Sequence, residues 1–150
     1  MAALQARVTS GPVALAAGVA KTALQVIAPA NQRVKVTNVG IYTDGVTSNA
    51  VPIQVRILRQ TTAGTGTAAT PVPVEKELTE AIQTTAAANF TAEPTAGDVL
   101  DNLGVPAFMG QYEVFYPLGQ EILVQGGGRL GFECNAPAGV NVRVKVQFEE

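Results

Sequence analysis

The strongest pattern along the chain has a period of two. Val140, Val142, Val144, Val146 and Phe148 alternate with Asn141, Arg143, Lys145, Gln147 and Glu149. Residues two apart share one face of a strand, so the run predicts one buried and one solvated face, as in an antiparallel sheet. Each such burial is worth roughly 1.5–3 kcal/mol before entropy is subtracted, and a charge at Val144 is expected to unfold or aggregate the protein. Thr22–Ala28 is a β-prone run closed by Pro29. Over Arg33–Thr43, Val34 and Val36 set one parity and Val39 and Ile41 the other. That switch predicts a β-bulge near Thr37-Asn38. Ile53, Val55 and Ile57 share a face over Pro52–Arg59, with Gln54 and Arg56 opposite. Ala87–Ala92, Tyr112–Tyr116, Glu121–Gln125, Arg129–Cys134 and Val140–Phe148 bring the count to about eight strands.

Turn signals separate these runs. Asp44-Gly45 follows the second strand, Gly126-Gly127-Gly128 reads as a hairpin turn, and Pro117, Pro137 and Gly139 mark further turns. Short strands at near-regular spacing predict an all-β fold, an antiparallel sandwich or barrel. The one helix candidate is Glu75–Gln83, where Leu78 and Ile82 stand four apart. Thr61–Pro73, rich in Thr, Ala, Gly and Pro, and Thr95–Gly110 read as long loops, which are uncommon unless they contact a partner. Val13, Leu15, Ala17 and Val19 alternate within residues 1–20, and an edge strand or an arm laid on a neighbouring subunit both fit. The 150 residues suit a single β-sandwich domain over 1–150.

Composition narrows the chemistry. Charged residues make up only 15% of the chain, against about 25% in an average domain. Histidine is absent, which excludes Ser-His-Asp and Cys-His nucleophilic sites and His-ligated metals, including a cupin-like enzyme. A sequence pI near 5.1 argues against nucleic acid as a partner. No apolar run approaches the ~20 residues that span a bilayer, so no membrane partner is expected. Pro12–Ala20 loosely resembles a signal-peptide core, but Gly11, Pro12 and Gly18 interrupt it and no cluster of positive charge precedes it. The sequon Asn89-Phe90-Thr91 carries little weight without secretion. Residues 1–74 carry a net charge of +5 and residues 75–150 one of −7. Scattered surface charge explains this. So does a head-to-tail meeting of unlike faces, which closes into rings such as trimers.

Each side chain that could carry chemistry has a plainer structural explanation. Cys134 shares parity with Leu130 and Phe132 and is expected in the core, with no histidine to activate it. Gly126–Gly128 with Arg129 lacks the following helix that a phosphate cradle needs. Asp98, Asp101 and Glu93 lack the spacing of a calcium loop. Glu75, Glu77 and Glu80 read as a solvated run. Tyr112, Phe115 and Tyr116 could form a stacking platform, but packing in the sheet suits them better. No catalytic, cofactor-binding or metal-binding residue is expected.

Several strings resemble small virion proteins of tailed phages and prophages. They are Leu24-Gln25-Val26-Ile27-Ala28-Pro29-Ala30-Asn31-Gln32-Arg33-Val34-Lys35-Val36, Val55-Arg56-Ile57-Leu58-Arg59-Gln60-Thr61-Thr62-Ala63-Gly64-Thr65, Thr91-Ala92-Glu93-Pro94-Thr95, and Tyr116-Pro117-Leu118-Gly119-Gln120-Glu121 running on to Gly126-Gly127-Gly128-Arg129-Leu130-Gly131. The resemblance covers most of the chain from about residue 20 onward. It implies a structural virion component of the capsid decoration, or cement, kind. Proteins of that kind resemble jelly-roll β-sandwiches that often assemble as trimers, so the resemblance implies a homotrimer. It is made in the host cytoplasm and binds the major capsid protein on the outside of the head. The alternative is another virion part, a tail, neck or fibre-associated adhesin. No enzymatic activity is implied.

Overall fold

A computed structural model describes residues 3–75, 77 and 79–150. In chain order its strands are β1 (Gln5–Thr9), β2 (Val13–Leu15), β3 (Ala20–Ile27), β4 (Val34–Thr43), β5 (Ile53–Gln60), β6 (Thr65–Ala69), β7 (Val72–Pro73), β8 (Thr85–Ala92), β9 (Ala96–Val105), β10 (Gln111–Phe115), β11 (Ile122–Val124), β12 (Arg129–Asn135) and β13 (Val140–Glu149). They form two antiparallel sheets packed face to face, the β-sandwich that the alternation predicts.

The first sheet has the order β10-β4-β13-β1-β7, with β11 continuing the β10 edge along β4 and β2 continuing β1 along β13. The second has the order β6-β8-β3-β12-β5-β9. With β1 and β2 as one position and β10 and β11 as another, ten of the strands occupy the eight positions of a jelly roll, two interlocked Greek keys. The other three, β6, β7 and β8, are an insertion between β5 and β9. It widens both sheets along one flank, where β2 packs over β3 and β8. On the opposite flank both sheets end in edge strands, and Leu100 of β9 shares a groove with Ile122 and Leu123 of β11.

The core follows the period-two pattern. Val142, Val144, Val146 and Phe148 are fully buried on β13, facing Leu24, Val26, Leu130 and Phe132 of the other sheet within one apolar cluster. Across β13 and β4, Gln147 pairs with Asn38 and Phe148 with Val36, which leaves Thr37 as the extra residue of a bulge. This is the bulge expected from the parity switch. A second bulge leaves Ala23 unpaired on β3, between Leu24↔Phe132 and Thr22↔Glu133.

The thirteen strands among the described residues exceed the eight read from the sequence. All eight of those are present, and the two stretches read as loops contain further strands. β6 is a sheet edge whose Thr, Gly and Ala side chains are mostly exposed on both faces, so it carries no alternation. Its pairing with β8 is carried by the backbone. β9 is an edge strand as well, and its register against β5 shifts twice, which scrambles the parity of its apolar residues. Residues 5–9 and 13–15 pair with β13 of the same chain, within the first sheet. Leu78 of the candidate helix lies outside the described residues, and the described residues of Glu75–Gln83 form bends, a turn and irregular chain. The expected hairpin at Gly126–Gly128 is also corrected. The turn joins β11 to β12, which lie in different sheets, so it is a corner between layers.

Candidate interaction surface

The residues singled out for chemistry are dispersed. Cys134 is fully buried, and loss of hydration, followed by the neighbouring Glu133, pushes its thiol up to about 12. A thiol in that state is not a nucleophile at neutral pH. The turn after β11 is a backbone device, with Gly127 at φ 74° and the Gly128 N–H donating to the Gln125 carbonyl at 2.8 Å. The Glu93 carboxylate accepts from the Thr22 N–H at 2.7 Å, and Asp101 accepts from the Asn102 N–H at 2.9 Å. Among the described residues no group of three or more His, Cys, Asp or Glu side chains could hold a metal ion. Glu75, Glu77 and Glu80 are exposed. Tyr112 and Tyr116 pack against the core, whereas Phe115 points to the other face of the sheet and is 71% exposed. The three rings therefore do not form a single platform. Burial pushes the Tyr116 phenol up to about 12, with Tyr112 and Asp101 adding to it.

The outer face of the first sheet carries a polar cluster that alternation alone does not single out. Glu113 of β10 accepts hydrogen bonds from Lys145 of β13, from the Tyr42 hydroxyl at 3.1 Å and from Asn38 Nδ2 at 3.4 Å. The Lys145 ammonium beside it is the main cause that holds the Glu113 carboxyl below the usual carboxylate range. Asp44 pairs with Arg143 at 3.1 Å, and Arg56 pairs with Glu133 across β5 and β12. These last two pairs join the basic first half of the sequence to the acidic second half, so the halves interleave in space.

The surface best suited to binding is one end of the sandwich. Four connections meet there: residues 16–19, 44–52, 106–110 and 136–139. Backbone bonds join them in two pairs and tie the second pair to β13. Gly18 N–H donates to Ala136 O at 2.8 Å, Asp44 N–H to Asn141 O at 3.3 Å, and Gly45 N–H to Ala107 O at 3.0 Å. Thr43 locks the last pair, its hydroxyl donating to Pro106 O at 2.7 Å and accepting from Gly110 N–H at 2.7 Å. Two glycines let these loops close. A Cβ on Gly45 would lie 2.2 Å from Ala107 O, and one on Gly110 would lie 1.9 Å from Pro106 O. Neither position admits a side chain without moving a backbone carbonyl.

This buttressed end presents apolar side chains to solvent. Val46 is 89% exposed, Met109 75%, Val51 56%, Val19 55% and Phe108 47%. Met109 is held at φ 45°, a region that non-glycine residues enter rarely and that costs about 1–3 kcal/mol. Asp44 is the one ionisable residue in the four connections, and Arg143 neutralises it. A tip with no unpaired charge can be covered without desolvating a lone ion. Beside it lies a depression of about 400 Å³ bordered by Leu15, Val46 and Val140. Exposed apolar residues gathered at one end of a fold mark a candidate protein-contact surface.

Comparison with protein-family models, with curated proteins and with solved structures gave no match.

Proposed function

We propose that this chain is a structural virion protein that decorates a tailed-phage head. It binds the outer surface of the shell as a ring of copies, a homotrimer in the simplest case, and stabilises the shell. The observation that carries this reading is the uncharged apolar tip of Val46, Val51, Phe108 and Met109 on loops pinned by Gly45 and Gly110. The jelly-roll topology and the likeness of residues 24–36, 55–65 and 116–131 to phage virion proteins support it. In this reading the tip seats on an apolar patch of the capsid protein, each contact burying on the order of 800 Å² per partner. A ring presents several tips at once, so individually weak contacts add up to a tight hold.

The test is co-sedimentation of purified protein with expanded heads that lack it. Retention on the heads, with raised resistance of the shell to heat or chelators, is the expected outcome. No retention, with antibody labelling found on tails in negative stain, would overturn the decoration reading and leave the adhesin.

A further inference from the structure

At the end of the sandwich opposite the tip, β5 runs into Thr61, and β11 turns through Gly127-Gly128 into β12. These connections border a depression of about 560 Å³, and Arg59 and Arg129 both line it. Arg59 follows Ile57 by two residues and stands opposite Leu130, so it occupies a core-facing position on β5. Arg129 opens β12. One of its terminal nitrogens, Nη1, donates to Thr61 O at 3.4 Å, while its buried Nε has no hydrogen-bond partner. Both arginines are half-buried, and neither forms an ion pair among the described residues. A partly buried guanidinium ordinarily holds a carboxylate, as Arg56 holds Glu133 and Arg143 holds Asp44. Arg59 and Arg129 depart from that rule, and they do so side by side.

We propose that this depression binds an oxyanion, a phosphate or carboxylate group, held by the guanidinium groups of Arg59 and Arg129. A guanidinium presents its donors in a planar fork that matches two oxygens of either group. The bound oxygen supplies the acceptor that Arg129 Nε lacks, and satisfying a buried donor favours the bound state. The glycine turn contributes no donors of its own. Gly127 N–H is already given to Pro29 O at 3.1 Å and Gly128 N–H to Gln125 O at 2.8 Å. Recognition therefore comes from side chains and not from a backbone cradle. Asp98 of β9 is the one carboxylate on the lining, which leaves a single net positive charge there. It opposes the anion, so the site has a signature of two signs: the arginines hold the ligand and Asp98 weakens it. The site is separate from the tip and requires neither a ring nor a shell.

Titration of the full chain with sodium phosphate and, separately, sodium acetate tests it, at constant ionic strength and followed by amide NMR shifts. Saturable shifts confined to the amides around Thr61, Gly127, Gly128 and Arg129 are expected, and the tighter of the two probes tells a phosphate from a carboxylate ligand. Arg59→Gln and Arg129→Gln should each weaken that binding at least about tenfold, the loss of a charged hydrogen bond. Asp98→Asn should tighten it. Arg129→Lys keeps the charge but lacks the buried Nε, and it should still bind more weakly than the unaltered chain. Unchanged circular dichroism establishes that each variant is folded. If Arg129→Gln fails to fold, Arg59→Gln and Asp98→Asn carry the test with their opposite signs. Shifts that do not saturate with either probe, or that spread over the whole surface, would overturn the site. So would binding indifferent to the arginine substitutions, or weakened by Asp98→Asn. No phage head enters the experiment, so its outcome leaves the decoration reading untouched.

Discussion

Gly131 illustrates how closely the second sheet is fitted on its outer face. Gln25 and Gln60 are buried there with Thr22, under the strand-to-strand connection that begins at Thr61. Gln25 Nε2 donates to Gln60 Oε1 at 2.7 Å and to Thr62 O at 3.0 Å, and Gln60 Nε2 donates to Thr22 Oγ1 at 3.0 Å. The Gln60 amide lies directly over Gly131, where an added Cβ would sit 2.2 Å from its Cδ. Gly131→Ala is expected to displace that amide and strand its partners, at about 1–3 kcal/mol, read as a lower urea midpoint at unchanged slope. Glu113 gives a second residue-scale prediction, in its pH dependence. Its carboxyl titrates lower in the folded chain than in the unfolded one, chiefly because Lys145 bonds to it. The stabilisation is therefore complete above the unfolded-state pKa and is lost as pH falls through the lower folded value. Glu113→Gln should lower Tm at pH 7, and the gap from the unaltered protein should close on acidification. A gap that stays constant from pH 7 down to pH 2 would contradict this.

At the scale of elements, β13 organises the first sheet, since it pairs with β4 on one side and with β1 and β2 on the other. Val144 stands at its centre, fully buried. Val144→Asp places an unpaired charge in the core, a cost above about 4 kcal/mol, and should give insoluble or unfolded protein. Asn141→Asp, on the exposed face of the same strand, should stay within about 0.5 kcal/mol of the unaltered chain in the same urea titration. The contrast explains which elements were legible in the sequence. β13, β4 and β5 have one face in the core, so burial writes itself into the sequence as alternation, down to the extra residue at Thr37. β6 and β9 are edges held largely by backbone pairing, and backbone bonds leave no side-chain pattern to read. The tip was illegible for another reason. Val19, Val46, Val51, Phe108 and Met109 come from connections far apart in sequence, each contributing only one or two apolar residues. The one signal present was the scarcity of charge in those stretches, which becomes informative only once the jelly roll brings them to one end.

For the whole molecule the relevant quantity is how a small change at one tip is multiplied by the ring. Val46 and Met109 touch little else in the chain, at 89% and 75% exposure, so Val46→Asp with Met109→Asp should leave Tm within the range of ordinary surface changes. On the shell, the same pair places two charges in an apolar contact. If that weakens each tip by only about 1.4 kcal/mol, a tenfold loss per site, three linked sites lose about a thousandfold together. Retention on heads should then vanish while the fold, read by circular dichroism, is unchanged. Leu118→Asp supplies the control. Leu118 is the most exposed large apolar side chain of the described residues at 92%, yet it lies between β10 and β11, outside the tip loops. Binding that survives Leu118→Asp and fails with the Val46/Met109 pair places the shell contact at the tip. The reverse result would move that contact to the flank where β10 and β11 end the first sheet.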